Sequence, residues 1–230
     1  MSWDAAAATF DDEPDHGLRD PVVKAAWAAL LLPRLPSARA RIADLGCGTG
    51  SVAALFAEAG HEVHGVDQSP RMLEIARAKC AAALGLGDAR LSETWLGDSR
   101  VGAAAFESGD SRVGDAAFQP GDARSGDAAF WLGDAADPPL DGGRYDVVFC
   151  RHVLWTLPPA ALARWVGLLR PGGRLLLVEG RWSTGAGITA DECRELVLRH
   201  RRHADVLELR DPALWGGPID DERYLLVSDA

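Results

Sequence analysis

Residues 41–83 alternate strand and helix patterns through short connections, and that alternation leaves few architectures open. Arg41–Leu45 reads as a strand, a glycine-rich loop follows, and a helix runs from about Ser51 to Ala59 before stopping at Gly60. Glu62–Val66 is a second strand, ending in Asp67. Ser69 is placed to cap the next helix, with Pro70 at its first position and its end near Ala83. Such a series predicts a parallel sheet covered by helices on both faces. The pattern resumes with a buried strand at Tyr145–Cys150, a helix from Pro158 to Leu169, a turn at Pro171-Gly172-Gly173 and an aliphatic strand at Arg174–Glu179. A helix from Thr189 to about His203 and short strands at Val206–Leu209 and Arg223–Val227 complete it. Ahead of the series, residues 1–20 are mixed and acidic. Pro21 opens a helical pattern through Val22, Val23, Trp27, Leu30 and Leu31 that Pro33 and Pro36 close.

The chain has 230 residues, 47% of them hydrophobic, which suits one domain with a sizeable core. Its formal net charge of -10 repels phosphate backbones and argues against a nucleic-acid partner. The one dense basic run, Arg199–His203, reads as the solvated end of a helix. Cys47, Cys80, Cys150 and Cys193 are widely spread and form no C-x-x-C pair, so free thiols are expected and neither a metal site nor a disulfide framework. There is no leader pattern and no apolar run of membrane-spanning length, so a cytoplasmic protein without a membrane partner is expected, monomeric or homodimeric.

A tandem repeat interrupts the series. Trp95-Leu-Gly-Asp98, Glu107-Ser-Gly-Asp110, Gln119-Pro-Gly-Asp122 and Trp131-Leu-Gly-Asp134 recur every 12 residues, defining an insertion at about 95–134. Removing residues 99–134 would fuse Trp95-Leu-Gly-Asp98 directly to Ala135 and leave an uninterrupted sheet domain. A duplication inside a loop or at a strand end is the reading. Short strands with Gly-Asp turns and a surface excursion both remain open.

The first strand-to-helix loop is Gly46-Cys47-Gly48-Thr49-Gly50. In an open parallel sheet, ligands bind outside the carboxyl ends of the strands, where the strand order reverses. A glycine loop alone is also what a plain tight turn looks like. This one lacks the G-x-G-x-x-G spacing of a dinucleotide site, and Asp44 ahead of it would repel a pyrophosphate. A carboxylate there suits a ligand carrying an ammonium group, or one bridged through water. Asp67, at the tip of the second strand, can accept hydrogen bonds from two ribose hydroxyls; its plainer role is a helix cap, for which Ser69 is the better candidate.

The segments Ala43-Asp-Leu-Gly-Cys-Gly-Thr-Gly50 and Val66-Asp-Gln-Ser-Pro-Arg-Met-Leu73 resemble the class I S-adenosylmethionine-dependent methyltransferases, strongly over residues 40–80 and 131–180 and weakly over 3–36. The resemblance implies a Rossmann-like, doubly wound, seven-stranded mostly parallel sheet of order 3-2-1-4-5-7-6, with one strand antiparallel. It also implies an N-terminal helical lid (1–36) ahead of the cofactor-binding domain (37–230). Asp44 and the backbone of Gly46, Cys47, Gly48 and Gly50 would hold the methionine part. Asp67 would take the ribose, and Gln68 with Met72 would flank the adenine. Gly133-Asp134-Ala135 best matches the family's adenine-binding segment, although Gly97-Asp98-Ser99 also follows a possible strand, Arg90–Leu96. Cys150, Arg151 and His152 would lie beside the methionine and the transferred methyl.

His152 is the candidate general base; packing against the cofactor is the alternative. Trp3, His16, Trp155 and Trp182 are candidate acceptor-lining residues, whereas Trp27 and Trp165 fall at core spacing. The expected activity is methyl transfer to an O, N, S or C nucleophile of a small molecule, releasing S-adenosylhomocysteine. An RNA or protein methyltransferase is one alternative. A non-catalytic cofactor binder that uses its repeats for interaction is another.

Overall fold

The computed structural model describes residues 3–85 and 127–229. Among the described residues seven strands are formed: β1 (Arg41–Leu45), β2 (Glu62–Asp67), β3 (Asp127–Leu132), β4 (Tyr145–Arg151), β5 (Leu169–Arg181), β6 (Asp205–Glu208) and β7 (Glu222–Ser228). They make one sheet in the order β3-β2-β1-β4-β5-β7-β6, parallel from β3 to β5. β7 runs antiparallel to both of its neighbours. The Rossmann-like order and the single reversed strand are those expected. The switch point lies between β1 and β4, where the chain turns from building one half of the sheet to the other.

Among the described residues seven α-helices accompany the sheet: α1 (Trp3–Ala6), α2 (Pro14–Gly17), α3 (Pro21–Leu31), α4 (Ser51–Glu58), α5 (Pro70–Ala83), α6 (Ala161–Leu168) and α7 (Ala190–Leu198). Local chemistry fixes several starts. The Asp20 carboxylate accepts from Val22 N at 2.7 Å ahead of Pro21. Ser69 Oγ accepts from Met72 N at 3.2 Å ahead of Pro70. Thr189 and Glu192 form a reciprocal capping box on α7.

Alternation along the strands divides the core. Ile42, Val63, Phe149 and Val178 face α3, α4 and α5 on one side, with Trp27 and Phe56 fully buried among them. Ala43, Leu45, Val148, Cys150 and Leu177 face α6 and α7, with Trp165 at the centre. Both indoles find acceptors, Trp27 Nε1 on Leu214 O (2.8 Å) and Trp165 Nε1 on Ala135 O (2.7 Å), as buried indoles require.

Some boundaries differ from the expected ones. The third strand is Asp127–Leu132, drawn from the last repeat unit; it pairs with the whole of β2, and Asp67 stands opposite Leu132. Gly133-Asp134-Ala135 therefore follows the third strand, while Arg90–Leu96, Gly97-Asp98-Ser99 and the units up to residue 126 lie outside the described residues. β5 starts at Leu169 and carries Pro171-Gly172-Gly173 within it, because the β4–β5 register jumps there. α6 starts after Pro158-Pro159, and α7 ends at Leu198. Beyond α7 the basic run turns back: Arg201 Nη2 donates to Gly173 O at 2.7 Å, so this cation ties down the turn inside β5. All four cysteines are free thiols. No helix among the described residues is long and apolar enough to cross a membrane.

Candidate active site

A cavity of about 560 Å³ opens above the carboxyl ends of β1, β2 and β4, at the switch point. Its floor is the loop after β1. Gly46 and Gly50 have φ of 70° and 73°, a left-handed conformation that favours glycine. Space excludes a side chain as well: a Cβ on Gly46 would lie 2.4 Å from a Val153 methyl, and one on Gly50 would lie 2.7 Å from the Ala76 methyl. Gly46 N and Cys47 N both donate to Val66 O, stitching the loop to the end of β2.

Two carboxylates converge on this loop. Asp44 is 3% exposed, and burial raises its pKa to about 7, with Arg151 opposing the rise and Asp67 adding to it. Asp67 is also raised by burial, against hydrogen bonds from Ser69 N to Oδ1 and Gly48 N to Oδ2, both 2.9 Å. Each Asp67 oxygen keeps capacity for a further donor. Gln68 and Met72 line the wall beyond Asp67, and Asp134 and Ala135 lie beside them after β3.

The N-terminal segment covers the cavity through three polar links. Asp4 accepts from Ser69 Oγ at the start of α5. Asp11, which is buried, accepts from Thr49 Oγ1 at 2.5 Å and pairs with Lys79 Nζ at 2.8 Å. The Arg151 guanidinium donates to Asp15 O and, at 3.5 Å, to His16 O. Phe10 stacks on His16 with centroids 4.4 Å apart and lies over Gly48. Trp3 packs edge-on against Phe10, and burial dominates a lowered His16 pKa. α3 by contrast packs into the core through Val23, Trp27 and Leu31.

The remaining wall follows β4. His152 has φ of 61°, unusual for a residue with a side chain. Glu179 sustains that turn: its Oε1 accepts from Val153 N (2.9 Å) and Leu154 N (2.7 Å). It is fully buried, its other oxygen has no partner, and burial raises its pKa to about 7. The His152 ring sits 5.1 Å from Trp182 and 6.1 Å from Trp215, with Nε2 4.0 Å from Asp15 Oδ2 and Nδ1 buried without a partner. Burial first, then the Arg151 and Arg223 cations, push its pKa well down, so the ring is neutral near pH 7.

A family model for a methyltransferase domain matches residues 19–211, from α3 to the end of the loop beyond β6. The chain belongs to the methyltransferase-domain family. Among relatives of this methyltransferase domain, a trans-aconitate 2-methyltransferase of Streptomyces avermitilis is 47% identical over 90 residues, 37% of this chain and 30% of that protein. An uncharacterized methyltransferase of Mycobacterium tuberculosis is 28% identical over 151 residues, 65% of this chain and 42% of that protein. The matched segments thus span less than half of either relative. The fold is that of magnesium protoporphyrin IX methyltransferase from Synechocystis, solved with bound S-adenosylmethionine: TM-score 0.58, 18% identity, 90% of this chain and 78% of that one covered.

The methyltransferase domain brings most of the expected residues together. Asp44, Gly46, Cys47, Gly48, Asp67, Gln68, Met72, Asp134, Ala135, Arg151 and His152 line the cavity, as do Trp3, His16, Trp155 and Trp182. Three expected residues stand off its wall. Gly50 backs onto α5, and Gly133 packs against Pro139. Cys150 is buried on the opposite face of β4, with Sγ 3.6 Å from Glu179 Oε1 and burial holding the thiol far above its usual range. Sequence reasoning missed Phe10, Asp11, Glu179, Trp215 and Arg223. An acidic residue closing the aliphatic run Arg174–Glu179 was a legible sign of a buried, hydrogen-bonded carboxylate. Arg223 and Asp11 carried no such signal.

Proposed function

We propose that this chain is an S-adenosylmethionine-dependent methyltransferase acting on a small molecule. The observation that carries the reading is the convergence of two carboxylates with raised pKa, buried Asp44 and half-buried Asp67, on a loop whose Gly46 and Gly50 have no room for a side chain. Acids with raised pKa and spare acceptor capacity in a cavity wall suit a ligand with a cation and hydroxyl donors. Asp44 would meet the ammonium of the methionine part, and Asp67 the ribose hydroxyls. Met72 and Gln68 would flank the adenine, and Asp134 would accept from its amino group. S-adenosylmethionine, when bound, supplies a methyl group on a cationic sulfur that leaves readily.

The protein's part is then mainly alignment in a covered site. The lid is segment 3–17, which presses Phe10 over Gly48 and is held by Thr49, Lys79, Ser69 and Arg151. α3 serves the core rather than the lid. Neutral His152, with its unpartnered Nδ1, serves as a hydrogen-bonding wall for the acceptor, set in place by Glu179 through the neighbouring amides. A covered cavity of about 560 Å³ suits a nucleoside cofactor and a small acceptor better than a polymer.

Calorimetry with S-adenosylmethionine and S-adenosylhomocysteine tests the cofactor assignment. Both should bind, and Asp44→Asn and Asp67→Asn should each weaken binding by about tenfold or more, the size of one charge-assisted hydrogen bond. Binding of neither nucleoside to the folded chain would overturn the reading. Transfer of a labelled methyl group to a small-molecule extract, and not to RNA or protein fractions, is the expected result for the acceptor class.

A further inference from the structure

The two ends of the cavity differ in character. Asp44, Asp67 and Asp134 stand on the β1–β3 side, whereas Trp155, Trp182, Trp215 and Arg223 line the other end beside His152. There the Arg223 guanidinium lies over Trp182 and Trp215, 4.7 and 5.5 Å from their ring centroids. Its side chain is 9% exposed. Nη2 pairs with Asp221 Oδ2 at 2.9 Å and Nη1 donates to Glu222 O at 3.2 Å, which leaves further N–H groups of the five unspent.

The seat is built for this arginine. Gly180 stands opposite Arg223 in the β5–β7 register, where a Cβ would lie 2.8 Å from Arg223 Cδ. Trp182 is fixed by a turn in which its N–H donates to Ala186 O at 2.9 Å. Gly187, at φ 100°, makes room for the indole, since a Cβ there would lie 2.4 Å from the ring. Beside this pair, the His152 ring offers a buried nitrogen with no partner.

We propose that this end of the cavity takes an acceptor bearing a carboxylate on a flat apolar body, and that Arg223 selects for the anion. The proposal rests on the methyltransferase reading above. Indole faces attract cations, but here both faces already hold the chain's own guanidinium. A cationic acceptor would meet that fixed charge at the ring faces and Arg151 behind His152. A carboxylate matches the planar fork of the guanidinium, and a flat body matches the exposed face of Trp155. Asp221 covers one edge of Arg223, and Asp15 and Glu13 face the site from the lid; they limit the strength of the anion preference without supplying a second cation seat.

The test titrates the full chain by calorimetry, with and without saturating S-adenosylhomocysteine, using naphthoate, naphthamide and naphthylmethylamine, one ring system in three charge states. Naphthoate should bind about tenfold more tightly than the amide, with the amine weakest. Arg223→Gln should abolish the difference while leaving S-adenosylhomocysteine affinity within about twofold. Arg223→Lys should keep part of the preference. Asp221→Asn, which removes the counter-charge, should strengthen naphthoate binding. Tightest binding by the amine, equal binding of all three, binding of none, or an anion preference that survives Arg223→Gln would each overturn the proposal. Failure of S-adenosylhomocysteine to bind the wild-type chain would instead strike the cofactor reading and leave the charge preference separately measured.

Discussion

Asp11→Ala probes whether the N-terminal segment is a docked lid. The carboxylate is 8% exposed, accepts from Thr49 Oγ1 at 2.5 Å and pairs with Lys79 Nζ at 2.8 Å. Truncation removes these contacts together with a longer, solvent-exposed pairing to Arg19 Nη2 at 3.8 Å. A hydrogen bond to a charged group contributes about 1.5–3 kcal/mol. The Lys79 side chain is 23% exposed and keeps Ser51 Oγ at 2.6 Å, so its ammonium is not stranded. The total loss therefore sits near the low end, about 2 kcal/mol, rather than the larger cost of an orphaned buried charge. If the segment opens independently of the rest, that is about a 30-fold increase in its open population. Hydrogen exchange of amides 3–17 should accelerate by that factor while β1 and β4 amides stay protected, and S-adenosylhomocysteine affinity should fall. If docking melts with the whole chain, the same loss lowers Tm by about 4–8 °C instead. Unchanged exchange over residues 3–17 together with an unchanged Tm would refute the latch.

The raised pKa of Asp44 and Glu179, each about 7 against ordinary values of 3.8 and 4.5, sets the pH dependence. Both favour the protonated form in the folded state, so their stabilisation is fully present below the unfolded values and is lost as pH rises through about 7. Each contributes up to about 1.4 kcal/mol per pH unit across that window. Denaturant titrations from pH 4.5 to 8 should show the decline, and Asp44→Asn should flatten it. Binding of an ammonium-bearing nucleoside should tighten as pH rises through 7 and release a proton, which buffers of differing ionisation enthalpy will register. Gly46→Ala forces a Cβ to 2.4 Å from Val153 at φ 70°, so unfolding should be easier by about 1–3 kcal/mol in urea, with cofactor affinity reduced as well. Deleting residues 91–126 retains β3 and Asp134 and should preserve both fold and cofactor binding by circular dichroism and calorimetry. Deleting 99–134 removes that strand, and a folded product would mean Arg90–Leu96 can take its place beside β2.

The parts of this molecule written in local patterns were legible. Strand–turn–helix spacing located β1, β2 and β4, Pro21 marked the start of α3, and the Ser69 cap with Pro70 located α5. Asp44, Asp67 and the glycines were readable because they follow strand ends in one segment of chain. Distance hid the rest. Asp11 acquires its role from Lys79 and Thr49, and Arg223 from indoles at 182 and 215, none of which is a sequence neighbour. Cys150 was misplaced because alternation on β4 turns it away from the cavity that Arg151 faces. The third strand was ambiguous because duplication supplies equivalent Trp-Leu-Gly-Asp segments; among the described residues it is the last of them that pairs with β2.

Among the described residues, β3 is at the rim of the sheet beside β2, and it is cut from the unit that abuts Ala135. That placement bears on inheritance. Tandem units of 12 residues invite unequal copying, which adds or drops whole units in frame. The last unit delivers both the strand β3 and Asp134 of the cavity wall, so a change in the number of units before it leaves these residues in the chain. Lineages carrying this chain should therefore drift in length at this one point while the cavity beneath stays the same.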